Sequence, residues 1–159
     1  MLTALAAQVR IPLWPVPITG STFGVLLAGA ALGWRAGGSS QLLYLALGIA
    51  GAPVFAAGGS GLATFAGPTG GYLLAFPVAA ALVGRMAEGG HDRKFWGMTT
   101  AFLAGSAVIY SGGVAGLMIS LGMSLPAALS AGVYPFLVGD AMKATAAGLL
   151  MPAIWRRLP

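Results

Sequence analysis

The sequence contains little charge and no cysteine. Of its 159 residues, 7% are charged and 58% are hydrophobic, and the mean hydropathy is +0.89. A soluble domain carries about 25% charged residues, so this chain has too few to cover a water-facing surface. The missing cysteines exclude disulfides and thiolate metal sites, and a single histidine cannot hold a metal. We therefore predict an integral membrane protein with no metal and no cofactor.

Several other patterns are absent. No segments alternate apolar and polar residues as a membrane β-barrel requires. The net charge is +5, but the basic residues are scattered, so no nucleic-acid-binding face is predicted. Gly67-Pro-Thr-Gly-Gly lacks the Gly-Lys-Ser/Thr ending of a phosphate-binding loop. The fold class that remains is all-α: one polytopic membrane bundle of about six helices, formed by residues 1–159 as a single domain.

Prolines, glycines and charges divide the chain into helices and irregular loops. A span needs about 20 residues, so the first predicted helix is a shortened one. Gly112-Gly113 is predicted to kink or break the fifth helix. The predicted helices are 1–9, 19–34, 41–50, 72–86, 95–121 and 133–155, with a polar turn at 35–40 and a short surface helix within 123–132.

Two of the connections have unusual compositions. Residues 10–19 hold three prolines, which forbid a continuous helix and predict an extended loop. Lipid cannot satisfy such a backbone, so this loop must be buried in protein or line a cavity. Residues 51–71 hold seven glycines and two prolines, and predict a folded, partly re-entrant loop over the bundle.

The basic residues predict the orientation in the membrane. With alternating spans, six of the eight lie on one side, which the positive-inside rule makes cytoplasmic. A multi-pass location in the cell (cytoplasmic) membrane follows, with membrane lipid as a partner and the irregular loops facing outward. The four tryptophans are predicted to form interfacial belts. The six basic residues are Arg35, Arg85, Arg93, Lys94, Arg156 and Arg157. The four tryptophans are Trp14, Trp34, Trp96 and Trp155.

The candidate site centres on Asp140 and Lys143, two charges within an apolar span. Each costs roughly 2.5–3.5 kcal/mol at membrane depth on insertion scales, which makes the pair a functional-site hypothesis. At i and i+3 they share a helix face, so they either neutralise each other or bind a ligand together. Tyr134, one or two turns earlier, is a candidate for the same cavity. Thr69 and Tyr72 are candidates at its mouth, and Trp14 is a candidate cover.

No catalytic site is predicted. Gly58-Gly-Ser-Gly resembles the nucleophile segment of rhomboid-type proteases, but a nucleophilic serine needs a base within reach. The only histidine, His91, is predicted on the opposite side of the membrane from Ser60. Small residues four apart, such as Gly29 and Gly33, predict close helix packing and leave self-association open.

Together these segments resemble the BioY family, the biotin-binding substrate-capture (S) components of energy-coupling-factor (ECF) transporters. The resemblance spans nearly the whole chain in the family's order. It is carried by Pro15-Val-Pro-Ile-Thr19, Phe23-Gly-Val-Leu-Leu-Ala-Gly29, Tyr44-Leu-Ala-Leu-Gly-Ile-Ala-Gly-Ala-Pro-Val-Phe55, Gly67-Pro-Thr-Gly-Gly-Tyr-Leu73 and Pro135-Phe-Leu-Val-Gly-Asp-Ala-Met-Lys143.

The resemblance implies a non-catalytic, six-helix S component with both termini cytoplasmic and biotin held near the outer face. It implies an ECF transmembrane coupling subunit and ATP-binding subunits as partners. Asp140 and Lys143 match the family's charged pair, and Thr19, Tyr72 and Tyr134 match motif positions. Ser21 stands where the family commonly has glutamine, and the first helix, which bears a docking face in the family, looks truncated. The alternatives are an S component for thiamine or riboflavin, or a membrane scaffold whose ion pair is structural.

Overall fold

The computed structural model describes residues 2–155, apart from the side chain of Trp155. The predictions made for Arg156, Arg157 and the Trp155 side chain lie outside these residues. In chain order the elements are α1 (Leu2–Gln8), β1 (Arg10–Ile11), β2 (Ile18–Thr19), α2 (Ser21–Ile49), α3 (Ala63–Ala66), α4 (Gly70–Glu88), α5 (Phe95–Leu121), α6 (Leu125–Gly132) and α7 (Leu137–Trp155), with single 3-10 turns at Ala56–Gly58, His91–Arg93 and Tyr134–Phe136.

The architecture is a helical membrane bundle, as predicted. Three described segments are long and apolar enough to cross a bilayer: Gly70–Glu88, Phe95–Leu121 and Leu125–Ile154. The shortened first helix and the short helix before the last span are both confirmed, as α1 and α6. α4 is central, because it packs along both α2 and α5.

The chain reverses within α2, at Gly33. This residue has φ 79° and ψ 176°, a conformation that glycine adopts without the steric cost of a Cβ. A Cβ on Gly37 would lie 2.8 Å from Gly29 Cα, although residues eight apart in one helix are about 12 Å apart. The predicted turn at 35–40 is therefore wrong, since those residues are helical. The reversal is capped by Glu88, whose Oε1 accepts from the Trp34 N–H at 3.1 Å.

Glycines let α4 and α5 approach to backbone contact. A Cβ on Gly71 would lie 2.2 Å from the Gly112 carbonyl oxygen and 2.8 Å from Gly116 Cα. A Cβ on Gly113 would lie 2.2 Å from the Tyr72 ring. α5 continues without a break through Gly112 and Gly113, so the predicted break is wrong. These glycines serve packing between helices, because the absence of a side chain leaves room for the neighbouring backbone and ring.

The proline-rich loop is tied at its base by a two-stranded antiparallel ribbon. Arg10 pairs with Thr19 and Ile11 with Ile18. The Gly20 N–H also donates to the Val9 carbonyl at 2.9 Å. The predicted extended loop thus has a paired backbone at both ends, which fixes where its prolines cross the end of the bundle.

The glycine-rich loop is folded, as predicted, and α1 holds it in place. The Gln8 side chain donates to the Phe55 carbonyl at 3.2 Å and accepts from the Gly58 N–H at 3.2 Å. The Phe55 side chain is almost fully buried and lies against Gly48, where a Cβ would come within 2.0 Å of its ring. The short first helix therefore positions a loop at the same end of the bundle as the ribbon.

Candidate functional site

A cavity of about 160 Å³ lies where the ribbon, the glycine-rich loop and the start of α4 meet. The hydroxyl residues Thr19, Ser21 and Thr22 form what we call its polar wall, and the cluster of Tyr44, Phe55 and Phe76 forms its aromatic wall. Ligand sites commonly combine an apolar lining with a few placed polar groups. The lining residues are Arg10, Val16, Pro17, Thr19, Ser21, Thr22, Tyr44, Phe55, Ala56, Ala57, Thr64, Thr69, Tyr72, Leu73, Phe76, Tyr110 and Phe136.

Lys143 lies directly behind the polar wall. Its ammonium donates to the Thr19 carbonyl at 3.0 Å, to Thr22 Oγ1 at 2.9 Å and to Asp140 Oδ1 at 2.9 Å. A lysine ammonium has three N–H donors, so these contacts use all of them. One side chain therefore joins α7 to the ribbon and to the first turn of α2.

Both oxygens of the Asp140 carboxylate also have partners. Lys143 occupies Oδ1, and the Tyr110 hydroxyl donates to Oδ2 at 2.6 Å. The Asp140 side chain is only 7% exposed, and that of Lys143 22%. A buried charge needs such pairing, because leaving one partner alone at this depth is strongly unfavourable. The two charges therefore neutralise each other, and the lining residues Thr19, Thr22 and Tyr110, which they contact, separate them from the cavity.

The structure brings some of the predicted site residues to the cavity and leaves others outside it. Thr19, Thr69 and Tyr72 line it. Asp140 and Lys143 stand behind the wall and contact it through Thr19, Thr22 and Tyr110. Trp14 is 84% exposed and Tyr134 is 59% exposed, and neither borders the cavity.

Most of the lining is missing from the sequence-based prediction, including the polar residues Arg10, Thr22, Tyr44 and Tyr110. Tyr110 lies in an apolar run of α5, and nothing local distinguishes it from a core tyrosine. Its partner Asp140 is 30 residues away, so only the fold brings the two together. A search for polar residues on apolar spans would have found Tyr110 and Tyr44, but not their contacts.

The aromatic wall is built around Tyr44, on the second half of α2. Its ring meets Phe55 edge-on, with centroids 5.4 Å apart at 78°, and stacks with Phe76 at 6.3 Å and 26°. The Tyr44 hydroxyl makes no hydrogen bond to another described residue. By contrast, Tyr72 donates to the Gly132 carbonyl at 2.8 Å, and Tyr110 donates to Asp140. Tyr44 therefore has a polar group to offer to a ligand.

Within residues 2–155, no group of three or more His, Asp or Glu side chains is arranged to hold a metal ion. The chemistry available at the cavity is hydrogen bonding, charge and aromatic contact. Those are the means of binding a small, mostly apolar molecule with a few polar atoms.

The family model described as the BioY family matches residues 1–159, the whole chain. This chain belongs to the BioY family. Its relatives include the probable biotin transporter BioY of Pyrococcus horikoshii, 40% identical over 149 residues, covering 94% of this chain and 86% of the relative. The biotin transporter BioY of Thermotoga maritima is 36% identical, with the same two coverages.

A solved structure supports the fold. The crystal structure of the S-component for biotin from an ECF-type ABC transporter superposes with a TM-score of 0.86 at 26% identity. The match covers 98% of this chain and 86% of the other. The fold predicted from the sequence, that of an ECF S component, is confirmed by this match.

Proposed function

We propose that this BioY-family chain binds biotin and serves in its uptake across the cytoplasmic membrane. The observation that carries the proposal is the two-sided cavity, with the Asp140–Lys143 network behind one wall and aromatic rings on the other. It is supported by the names of the biotin transporters to which the chain is similar. The membrane location and the family membership fit this role.

The chemistry of biotin matches the two walls. Its ureido ring offers two N–H donors and one carbonyl acceptor, and its thioether-containing bicycle is largely apolar. Asp140 is the acceptor for an N–H, and Lys143 is a donor near the same point, while the single O–H of Tyr110 stays on Asp140 Oδ2. Because the donors of Lys143 are all in use, ligand binding must replace one protein contact. The Thr22 hydroxyl, which borders the cavity, is the partner that we expect Lys143 to exchange.

The cavity faces the outside of the cell in this proposal. Four basic residues lie at the opposite end of the bundle, around the Gly33 reversal and the α4–α5 connection, and the positive-inside rule assigns that end to the cytoplasm. In the same proposal the end of α7 lies on the cytoplasmic side, because Gly148 packs against Phe95 at the start of α5. The basic residues are Arg35, Arg85, Arg93 and Lys94.

The proposed role is non-catalytic capture. The sequence contains no nucleotide-binding loop, so energy for uptake would come from partners. We propose an ECF transmembrane coupling subunit and ATP-binding subunits, in keeping with the similarity to an S-component from an ECF-type ABC transporter. The hydrogen bonds, charges and aromatic contacts available at the cavity fit a protein that binds its cargo unchanged.

Titration of the purified protein with biotin, thiamine and riboflavin tests the proposal. We expect saturable binding of biotin alone, and at least tenfold weaker binding by Asp140→Asn, because a charge-assisted hydrogen bond is worth about 1.5–3 kcal/mol. Binding of thiamine or riboflavin in preference to biotin would assign the protein to another vitamin. Binding of none of them would leave the scaffold alternative.

Tyr44→Phe removes a hydroxyl that has no partner among the described residues. We expect the melting temperature to stay unchanged and biotin affinity to fall by about 0.5–1.5 kcal/mol, the net worth of one hydrogen bond. Tyr72→Phe is the matched control, since it loses its bond to Gly132 and should lower stability. Calorimetric titration and thermal unfolding measure the two effects. Unchanged affinity in Tyr44→Phe would show that this hydroxyl does not reach the ligand.

A further inference from the structure

Arg10 is the one cationic side chain among the residues that line the cavity. Its position is fixed by β1, because Arg10 pairs directly with Thr19 of β2. Residues opposite each other in an antiparallel pair present their side chains on the same face. Thr19 lines the cavity and gives its carbonyl to Lys143, so the ribbon holds Arg10 at a defined place on the rim.

No carboxylate of the described chain is within reach of this guanidinium. The sequence has three acidic residues. Glu88 pairs with Arg85 at 3.7 Å, and Asp140 already has Lys143 and Tyr110 as partners. Glu88 ends α4, and Asp92 follows it, whereas the cavity is at the start of α4. The 19 residues of that helix separate the two ends by about 28 Å.

Lys143 cannot take the place of Arg10 as the anion site at the rim. It does not line the cavity, its three donors are bound to Thr19, Thr22 and Asp140, and the one donor that we expect to be exchanged, now on Thr22, is assigned to the ureido ring. The glycine-rich loop contributes Phe55, Ala56, Ala57, Thr64 and Thr69 to the lining and no charge. An anionic group near the rim would therefore meet one cation, the Arg10 guanidinium, which has no acidic partner among the described residues. A guanidinium can bind a carboxylate through two parallel N–H bonds.

We infer that Arg10 binds the carboxylate of the ligand and makes the site selective for the free acid. The inference rests on the proposed binding of biotin and adds the orientation of the molecule. The ureido ring points toward the Asp140–Lys143 network, and the valerate tail points toward the rim. Molecules that carry the same bicycle but an amide or ester at the end of the tail are poor ligands.

The test compares biotin with biotinamide, which differs in replacing the carboxylate by a neutral amide. We expect wild-type protein to prefer biotin by about 10–100-fold, the range given by one charge-assisted hydrogen-bond pair. Arg10→Gln should lose this preference by weakening biotin binding while leaving biotinamide binding unchanged. Arg10→Lys should keep part of it. Arg35→Gln, at the other end of the bundle, is the control and should keep the full preference.

Calorimetry or radioligand competition in detergent gives both affinities for each variant. Undiminished preference for biotin in Arg10→Gln would overturn the inference, as would equal affinity of wild-type protein for the two ligands. Either result leaves biotin binding itself intact. Failure of wild-type protein to bind both ligands is a different result, since it would overturn the proposed function and the inference with it.

Discussion

Lys143→Met is expected to abolish detectable biotin binding and to lower the stability of the protein markedly. The substitution removes the cation while Asp140 stays buried, with only Tyr110 as a partner. Breaking a buried ion pair on one side costs about 3–5 kcal/mol, because an uncompensated charge remains. It also frees the Thr19 carbonyl, which links α7 to the ribbon. Thermal unfolding in detergent and retention of radiolabelled biotin measure the two losses.

The double variant Asp140→Asn, Lys143→Met separates stability from binding. With both charges gone, we expect most of the lost stability to return, since replacing a whole buried pair is often neutral or stabilising. Biotin binding should stay absent, because the polar groups that recognise the ureido ring are missing. If the double variant binds biotin as well as the wild-type protein, the pair is structural and other residues of the cavity recognise the ureido ring.

Gly71→Ala is expected to separate α4 from α5. The new Cβ would lie 2.2 Å from the Gly112 oxygen and 2.8 Å from Gly116 Cα. Both are backbone atoms, which cannot turn aside as a side chain can. Overpacking of this kind costs about 1–3 kcal/mol. Because Tyr72 is the next residue and lines the cavity, biotin binding should weaken together with thermal stability.

Gly139→Ala is the matched control for this prediction. A Cβ there has nothing within 4 Å, and the residue lies in α7 beside Asp140. Helix propensity favours alanine over glycine by roughly 1 kcal/mol, so this variant should be as stable as the wild-type protein or more so. Thermal unfolding of the two variants side by side measures the contrast. Equal losses in both would contradict the role assigned to the glycine contacts.

Much of the fold could be predicted because it depends on local composition. The scarcity of charge indicates a membrane protein, and long apolar runs locate α4 and α5 to within a few residues. Asp140 and Lys143 stand out because a charge in an apolar span is energetically costly. Three prolines in the first loop exclude a helix there, and the requirement for backbone hydrogen bonds predicts that it lines a cavity.

The errors concern features that depend on contacts between distant residues. Gly33 reverses the chain because Gly84 packs against it and Glu88 caps the helix that follows. Gly112 looks like a helix breaker in sequence, but the backbone of α4 lies against it and the helix continues. Whether a glycine bends a helix or admits a neighbour is decided by what packs there.

The cavity itself escapes prediction for the same reason. Its walls come from the ribbon, both ends of the glycine-rich loop and four helices, so no single motif contains it. Arg10 and Tyr110 each look ordinary in sequence. Their roles follow from their contacts. Tyr110 donates a hydrogen bond to the Asp140 carboxylate, whereas no carboxylate of the described residues pairs with Arg10, so its guanidinium is available to a ligand.

Anomalous scattering from sulfur tests the central claim most directly. Biotin contains one sulfur atom, and the chain has seven methionines and no cysteine. In crystals of the biotin complex, we predict one peak beyond those of the methionines, inside the cavity between Tyr44 and Tyr110. A stoichiometric biotin peak on the lipid-facing surface, or anywhere outside this cavity, would contradict the account.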